Sequence, residues 1–252
     1  MSDLNNNKKI YFVSDAHLGL QGPIDSLTRE KKLVMWLESI RYSADIIFLM
    51  GDIFDFWFEY KKVVPKGFTR LLGKLAEITD SGVPIHFFTG NHDLWEFGYL
   101  QTETGMIVHR HEKTFVLKGK KFFLAHGDGL GPYDKGYKRL KKIFSNRLAQ
   151  FAFEWLHPNI GVGLAHYWSH KSRYAEGEDH IDFQGEDKEW LILYANSVLK
   201  QEHFDYFIFG HRHIVKKLQL TKESTLIYLG DWLNSFSYGE FDGNDFNIKF
   251  FK

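Results

Sequence analysis

The stretch Leu49-Met50-Gly51-Asp52-Ile53-Phe54-Asp55 decides the fold of this chain. Residues 45–50 form a largely apolar run with the length and composition typical of a buried β-strand. Gly51 then allows a sharp turn, and Asp52 follows at the end of a strand where α/β folds place their ligands. A single strand that ends in Gly-Asp is weak evidence, so the endings of the other strands decide its meaning.

Four further apolar runs, at 10–14, 84–89, 122–125 and 204–209, end in a similar manner. The segments that follow them are, in chain order, Asp15-Ala16-His17, Gly90-Asn91-His92-Asp93, His126-Gly127-Asp128 and Gly210-His211-Arg212-His213. Five strand ends thus present Asp, His and Asn side chains, and we expect these side chains to meet at one edge of the sheets.

The composition excludes several classes of site. The 252 residues are 44% hydrophobic and 25% charged, as in a soluble globular domain, and the formal net charge of zero gives no general reason to expect a nucleic-acid partner. Because there is no cysteine, disulfides, thiolate catalysis and cysteine–zinc sites are excluded. The polar segment 2–9 lacks the apolar core of a signal peptide, and no run has the roughly 18–20 apolar residues of a spanning helix, so we expect a cytoplasmic protein.

The order of elements in the first hundred residues predicts an α/β fold with a mostly parallel sheet. A helix capped by Asp25 or Ser26 carries an apolar stripe over 33–40, and a second helix spans about 66–81. Strand, helix, strand, helix, strand is the βαβ pattern. The aromatic residues within 54–58 are interpreted as a loop packed over the sheet or, alternatively, as an apolar wall beside a substrate.

Shorter strands after Asn91, at 108–109, 114–117 and 121–125, predict a second sheet that packs on the first. Further short strands at 216–220, 225–229 and 246–251 are typical of antiparallel hairpins. Gly119-Lys120 supplies a tight turn between two of them. We therefore expect one domain over 1–252.

The block at about 134–200 interrupts this pattern and predicts a helical lid inserted within the domain, between His126 and His211. Its first helix, which Pro158 should end, has an apolar stripe that consists of Tyr137, Leu140, Phe144, Leu148, Phe151 and Trp155. This stripe either packs onto the main core or binds acyl chains. The other face of the helix is basic and is either solvated or close to anionic lipid head groups.

The strand ends supply enough ligands for two metal ions. The candidate ligands are Asp15, His17, Asp52, Asn91, His126, His211 and His213. Carboxylate and imidazole ligands together suit Mn, Fe, Zn or Co. Seven ligands exceed what one ion usually draws from a protein, and Asp52 is the natural bridge between two ions about 3.5–4 Å apart. We expect Asp15 and His17, like His211 and His213, to lie on extended segments and to point the same way.

His92 and Asp93 follow the predicted ligand Asn91 and are the candidate catalytic pair. We expect Asp93 to hold His92 in one tautomer, so that His92 serves as general acid to the leaving oxygen or as a clamp on the phosphate. A purely structural histidine is the alternative.

The five motifs, in this order, resemble the signature of the calcineurin-like metallophosphoesterases. The resemblance implies a β-sandwich flanked by helices with a two-metal site at the strand ends, and it covers about 1–130 and 200–252. Within that superfamily the chain is most similar to the UDP-2,3-diacylglucosamine hydrolases of lipid A synthesis. The similar stretches are Gly51–Trp57, Ser81–Pro84, His126–Leu130 and Asp134–Tyr137.

That resemblance implies a manganese enzyme that directs water to the α-phosphorus of a nucleotide-linked glycolipid and releases UMP. It also implies a lid that holds acyl chains and a peripheral position on the inner face of the cytoplasmic membrane. The substrate-binding residues carried over from it are Asn91, His92, Asp134, Tyr137, Lys171, Ser172, Arg173 and His211. The chain departs from one branch of the family, which has arginine at the position of His92. Hydrolysis of a soluble nucleotide or another phosphodiester, or a non-catalytic scaffold, are the alternatives.

Overall fold

The computed structural model describes residues 8–132, 135–165, 167 and 183–252. Its strands are β1 (Lys9–Val13), β2 (Ala44–Leu49), β3 (Ile85–Phe88), β4 (Ile107–His109), β5 (Lys113–Leu117), β6 (Lys120–Ala125), β7 (Tyr206–Phe209), β8 (Val215–Gln219), β9 (Thr225–Leu229), β10 (Ser237–Phe241) and β11 (Phe246–Phe250). Its helices are α1 (Ser26–Ile40), α2 (Thr69–Asp80), α3 (Tyr99–Thr104), α4 (Lys135–Phe144), α5 (Arg147–Glu154), α6 (158–165) and α7 (Trp190–Leu199).

The strands form two sheets that pack face to face. In the first sheet the order is β11-β10-β1-β2-β3-β4, and β1 to β4 are parallel. In the second sheet the order is β5-β6-β7-β9-β8, and β6, β7 and β9 are parallel. The parallel strands of both sheets therefore present their carboxyl ends as sites for functional side chains. The expected α/β sandwich with flanking helices is confirmed.

An aromatic core joins the two sheets. Phe12 stacks on Phe48 within the first sheet, with ring centroids 5.0 Å apart, and lies 6.1 Å from the ring of Phe122 in the second sheet. Burial of large apolar side chains is the main source of stability in such a core. The 24 phenylalanines of the chain are thus explained in part by this interior.

Helices cover the outer faces of both sheets. Asp25 caps α1 by accepting a hydrogen bond from the Thr28 amide, as the sequence predicts, and α1 buries Trp36 against the first sheet. Helix α7 buries Leu191 and Ala195 against the second sheet. None of the helices in the described part of the chain could traverse a lipid bilayer.

The inserted block differs from the prediction in its helices. The apolar stripe does not lie on one helix, because the helix is interrupted at 145–146. There the Asn146 side chain caps α5 by accepting hydrogen bonds from the amides of Leu148 and Ala149. Pro158 does not end this helix but begins α6, since the first helical position needs no amide donor. Strand β4, which was expected in the second sheet, instead pairs with β3 at the edge of the first. Strand β10 was not predicted from the sequence and pairs with β1.

A stacked histidine pair at the edge of the first sheet makes stability depend on pH. His86 Nδ1 and His109 Nε2 are 2.8 Å apart, and burial, together with the charge of Lys113, lowers the pKa of each to about 4. In the unfolded chain the pKa is about 6.5, so the unfolded state binds protons first as the pH falls. This contribution to stability is complete above about pH 6.5 and is lost progressively down to about pH 4.

We therefore expect His86→Gln/His109→Gln to flatten the pH dependence of unfolding. After discounting for partial solvent screening, the change in unfolding free energy between pH 7 and 4.5 should shrink by roughly 1–2 kcal/mol. Urea unfolding in a chelating buffer measures it, since chelation removes any effect of metal binding. An unchanged slope in the variant would contradict this assignment.

Candidate metal centre

The ends of five parallel strands place the predicted ligands around one cleft. Asp15 follows β1, Asp52 follows β2, Asn91 follows β3, His126 follows β6 and His211 follows β7. Strands from both sheets therefore contribute, and the cleft lies where the carboxyl ends of the two sheets come together.

One cluster consists of Asp15, His17 and His213. His213 Nε2 lies 3.3 Å from Asp15 Oδ1 and 3.2 Å from His17 Nε2. His17 Nε2 lies 3.8 Å from Asp15 Oδ1. Three potential ligand atoms thus surround one point, with spacings that a single ion can bridge.

A second cluster consists of Asp52, His126 and His211. His126 Nε2 lies 3.2 Å from Asp52 Oδ2 and 3.2 Å from Asn91 Oδ1. The same Asp52 oxygen is 3.8 Å from His17 Nε2 in the first cluster. The Asp52 carboxylate therefore lies between the two clusters, where a bridging ligand would be required.

The backbone at these candidate ligands is not extended. The prediction that extended segments make their side chains converge is therefore wrong. Asp15, His17, Asp52, His211 and His213 have φ between 41° and 64°. A non-glycine residue in this left-handed region costs of order 1–3 kcal/mol and persists only where its surroundings hold it. Five candidate ligands with positive φ indicate that orienting their side chains into the cleft lowers the stability of the fold.

Close approach between the turns requires a residue without a side chain at Gly90. A Cβ atom there would lie 2.1 Å from Asp52 Oδ1. The absence of this atom lets the Asp52 carboxylate accept a hydrogen bond from the amide of His92 at 2.9 Å. Gly90 thus fixes the turn after β3 against the carboxylate between the clusters.

The charges in the cleft match a divalent cation. Burial would raise the pKa of Asp15 and of Asp52, but neighbouring histidines hold both below their ordinary value. Burial would lower the pKa of His126, but the Asp52 carboxylate raises it to about 10. A proton at His126 therefore balances the carboxylates, and a metal ion replaces such protons when it binds. Buried carboxylate, amide and imidazole donors fit a transition-metal ion.

Two more histidines have neutral imidazole rings that could coordinate a metal ion. Burial lowers the pKa of His17 and of His211 to about 4, so both are neutral at physiological pH. Neutral imidazole is the form that coordinates metals.

His92 is held by Asp55 and not by Asp93, contrary to the prediction. The Asp93 carboxylate accepts hydrogen bonds from the backbone amides of Gly90, Asp52, Ile53 and Phe54. His92 Nδ1 instead lies 2.9 Å from the backbone oxygen of Asp55 and 3.6 Å from its Oδ1. Since a carbonyl oxygen can only accept, Nδ1 of His92 carries a proton and Nε2 remains for the cleft.

Two carboxylates that were not predicted from the sequence lie beside the candidate ligands. Asp55 Oδ1 lies 3.5 Å from Nδ1 of His17, so it orients a ligand as well as His92. Asp231 Oδ2 lies 3.9 Å from Nδ1 of His213. A signal for Asp231 was present, because Gly230-Asp231 follows the buried strand β9 in the same way as Gly51-Asp52 follows β2.

The predicted substrate-binding residues of the insertion are only partly described. Tyr137 donates to Asp128 Oδ2 at 2.5 Å, and Lys141 Nζ lies 2.6 Å from the same oxygen. These bonds fasten α4 to the turn after β6. The other predicted positions lie outside the described residues: Asp134, Lys171, Ser172 and Arg173.

Fold and cleft define a metal-dependent phosphoesterase, and comparison with known families agrees. The model of the calcineurin-like phosphoesterases matches residues 8–215, and the chain belongs to this family. It is therefore a metal-dependent hydrolase.

Two relatives and one solved structure are similar to this chain. The chain is 44% identical over 250 residues to a UDP-2,3-diacylglucosamine hydrolase of Porphyromonas gingivalis, covering 93% of this chain and 94% of the relative. It is 26% identical over 244 residues to the enzyme of the same name from Histophilus somni, covering 96% and 99%. The phosphoesterase Yfce from E. coli aligns with a TM-score of 0.48 and 14% identity, covering 97% of this chain and 93% of that one.

Proposed function

We propose that the protein is a pyrophosphatase that hydrolyses UDP-2,3-diacylglucosamine to UMP and 2,3-diacylglucosamine 1-phosphate in lipid A synthesis. One observation carries this proposal: a cleft with two metal-ligand clusters opens beside an insertion whose surface is rich in apolar side chains. The relatives named above for this activity match nearly the whole chain.

The residues of the cleft have distinct roles in this proposal. Asp15, His17 and His213 would hold one divalent ion, His126, His211 and Asn91 would hold the other, and Asp52 would be shared between them. The ions, which we propose to be manganese, supply Lewis-acid activation of water and neutralise phosphate charge. His92 directs its Nε2 toward the phosphate or the leaving oxygen, while Asp55 keeps the proton on Nδ1.

Residues 134–200 form the proposed lid of a single domain. Phe144 and Phe153 anchor it by packing on Trp95, with ring centroids 5.3 Å and 4.8 Å apart. Phe151 and Trp155 face the other way: they are 57% and 77% exposed, and their rings lie 6.0 Å apart. An apolar surface that the core does not use supports a role in binding acyl chains.

Exposed basic residues of the insertion support a peripheral position on the inner face of the cytoplasmic membrane. Arg139, Lys142 and Arg147 are exposed and neighbour, along the chain, the exposed apolar residues Leu140, Ile143 and Leu148. A basic residue near an anionic lipid surface contributes about 1 kcal/mol. Sedimentation with vesicles of phosphatidylglycerol, compared with phosphatidylcholine, measures this contribution.

A substrate panel tests the proposed function. The purified protein with Mn²⁺ is offered UDP-2,3-diacylglucosamine, a UDP-sugar and a chromogenic phosphodiester in parallel. We expect the glycolipid to have the highest kcat/KM and to release UMP. Equal or better hydrolysis of the UDP-sugar would show that the substrate is a soluble nucleotide.

Polar substitution of the exposed apolar residues of the insertion tests whether they bind acyl chains or belong to the main core. Because Leu148, Phe151 and Trp155 are largely exposed, replacing all three by Gln should leave folding intact and raise KM for the diacylated substrate roughly tenfold or more. Hydrolysis of the chromogenic ester should not change. The matched control is Met35→Gln/Tyr42→Gln, which removes exposed apolar groups near α1. Loss of both activities together would contradict a specific role in acyl binding.

A further inference from the structure

The side chain of Arg212 leaves the cleft that its two neighbours line. Its Nε lies 3.2 Å from Glu189 Oε2, and one terminal nitrogen lies 2.9 Å from Glu189 Oε1. This is a two-pronged contact, which fixes the guanidinium in both position and orientation. Glu189 is the N-cap residue of α7, the last helix of the insertion, and lies 23 positions before Arg212 in the chain.

Glu189 is fully buried and engaged on both oxygens. Its Oε1 also accepts a hydrogen bond from the amide of Gln184 at 3.1 Å, and its Oε2 lies 3.4 Å from the hydroxyl of Tyr228 on β9. A buried carboxylate with these partners cannot shift without leaving charge uncompensated. The pair of Glu189 and Arg212 is therefore a rigid connection.

The connection lies where the chain just before the insertion approaches the start of α7, the last helix of the insertion. We call Gly131 and Trp190 the neck of the insertion, because a Cβ at Gly131 would lie 2.7 Å from the Trp190 carbonyl oxygen. The guanidinium of Arg212 lies 4.6 Å from the Trp190 ring centroid, and that ring lies 6.4 Å from the ring of His211. The neck, Arg212 and a predicted metal ligand thus pack together.

The turn that Arg212 occupies needs such support. His211 and His213 have φ of 64° and 53°, and the amide of Arg212 donates to the Gly210 oxygen at 2.7 Å. Strained residues of this kind keep their conformation only where the surroundings fix them. Asp15 fixes one side of the turn through the amide of His211, and Glu189 fixes the other through Arg212.

We propose that the Glu189–Arg212 pair is a positioning clamp, which holds His211 and His213 in their metal-binding arrangement and links metal binding to the neck of the insertion. The inference rests on the proposed metal centre. Because such linkage is reciprocal, an ion in the cleft should stabilise the first turn of α7, and a fixed neck should increase metal affinity.

Metal titration tests the clamp without reference to activity. Glu189→Gln/Arg212→Met removes both charges and so avoids an isolated buried charge. We expect its affinity for Mn²⁺ to fall roughly 10–100-fold, the usual effect of losing support behind a ligand. Arg212→Lys keeps the positive charge but loses the two-pronged contact with Glu189. Its affinity for Mn²⁺ should lie between that of the native chain and that of the double variant. Arg41→Met, which breaks the pairs with Glu38 and Glu77 on the outer helices, should bind Mn²⁺ like the native chain.

Hydrogen exchange tests the link to the neck. The amides of Ile192 and Leu193 donate to the Glu189 carbonyl, and saturating Mn²⁺ should slow their exchange severalfold in the native chain. In Glu189→Gln/Arg212→Met the slowing should disappear there but persist at 44–58, which carries Asp52. Urea unfolding in a chelating buffer shows whether each variant is folded. If the double variant does not fold, Arg212→Lys is used for both the Mn²⁺ titration and the hydrogen exchange.

The outcomes separate the clamp from the metal centre. Native Mn²⁺ affinity in both clamp variants, or native exchange protection at α7, would overturn the clamp alone. A native chain that binds no Mn²⁺ would overturn the proposed metal centre and the clamp with it.

Discussion

Asp52→Asn should abolish tight binding of two metal ions and lower phosphoesterase turnover by roughly 10³-fold or more, since metal ions contribute several kcal/mol to such transition states. The Asp52 carboxylate lies between the two clusters, 3.2 Å from His126 Nε2 and 3.8 Å from His17 Nε2. Asparagine keeps the shape and tolerates the positive φ of this residue, so the variant removes the charge and little else.

Elemental analysis and a chromogenic phosphodiester measure the two effects. The control is Asp80→Asn, at the exposed end of α2, which should keep native metal content and rate. Two tightly bound ions per chain in Asp52→Asn would show that this carboxylate is not the shared ligand.

His92→Ala should keep the metal ions and lose roughly 10²–10⁴-fold in turnover, the usual contribution of a positioned acid or base. The expected loss follows from the orientation of the ring, which Asp55 holds through Nδ1 while Nε2 remains for the phosphate or the leaving group. The effect should be largest for a substrate with a poor leaving group, because such a leaving group needs a proton most.

Asp55→Asn should act mainly through His17 and weaken metal binding, because the Asp55 carboxylate lies 3.5 Å from His17 Nδ1. The substitution keeps the backbone oxygen that accepts from His92 Nδ1, so the orientation of His92 should be largely retained. Near-native turnover of His92→Ala on a poor leaving group would exclude the acid role. Loss of metal from His92→Ala would instead make it a ligand.

The sequence predicted which polar residues come together, because strand ends leave a strong signal. An apolar run followed by Gly-Asp or Gly-His can be recognised without knowing how the strands pair, and parallel pairing then brings such ends together. Asp52 and His126 were found in this way although they lie on different sheets. Asp231 carries the same signal, because Gly230-Asp231 directly follows the buried strand β9.

The details that were wrong depend on tertiary contacts. Adjacency in sequence suggested that Asp93 holds His92, but the amides of the turn after β2 occupy the Asp93 carboxylate. Spacing suggested extended backbone at Asp15 and His17, and their left-handed conformation follows from packing of the turns. A periodic apolar stripe cannot reveal the break at Asn146, because periodicity continues across a capped interruption.

The position of β1 in the middle of the first sheet sets the order in which the molecule can be assembled. Its neighbours are β2 and β10, and His17 meets His213 across 196 residues of chain. During synthesis the ribosome must release nearly the whole chain before the first cluster has all its ligands, and contacts this distant in sequence form slowly. In the proposed metal centre, the first ion would therefore gain its full set of ligands only after His213 has left the ribosome.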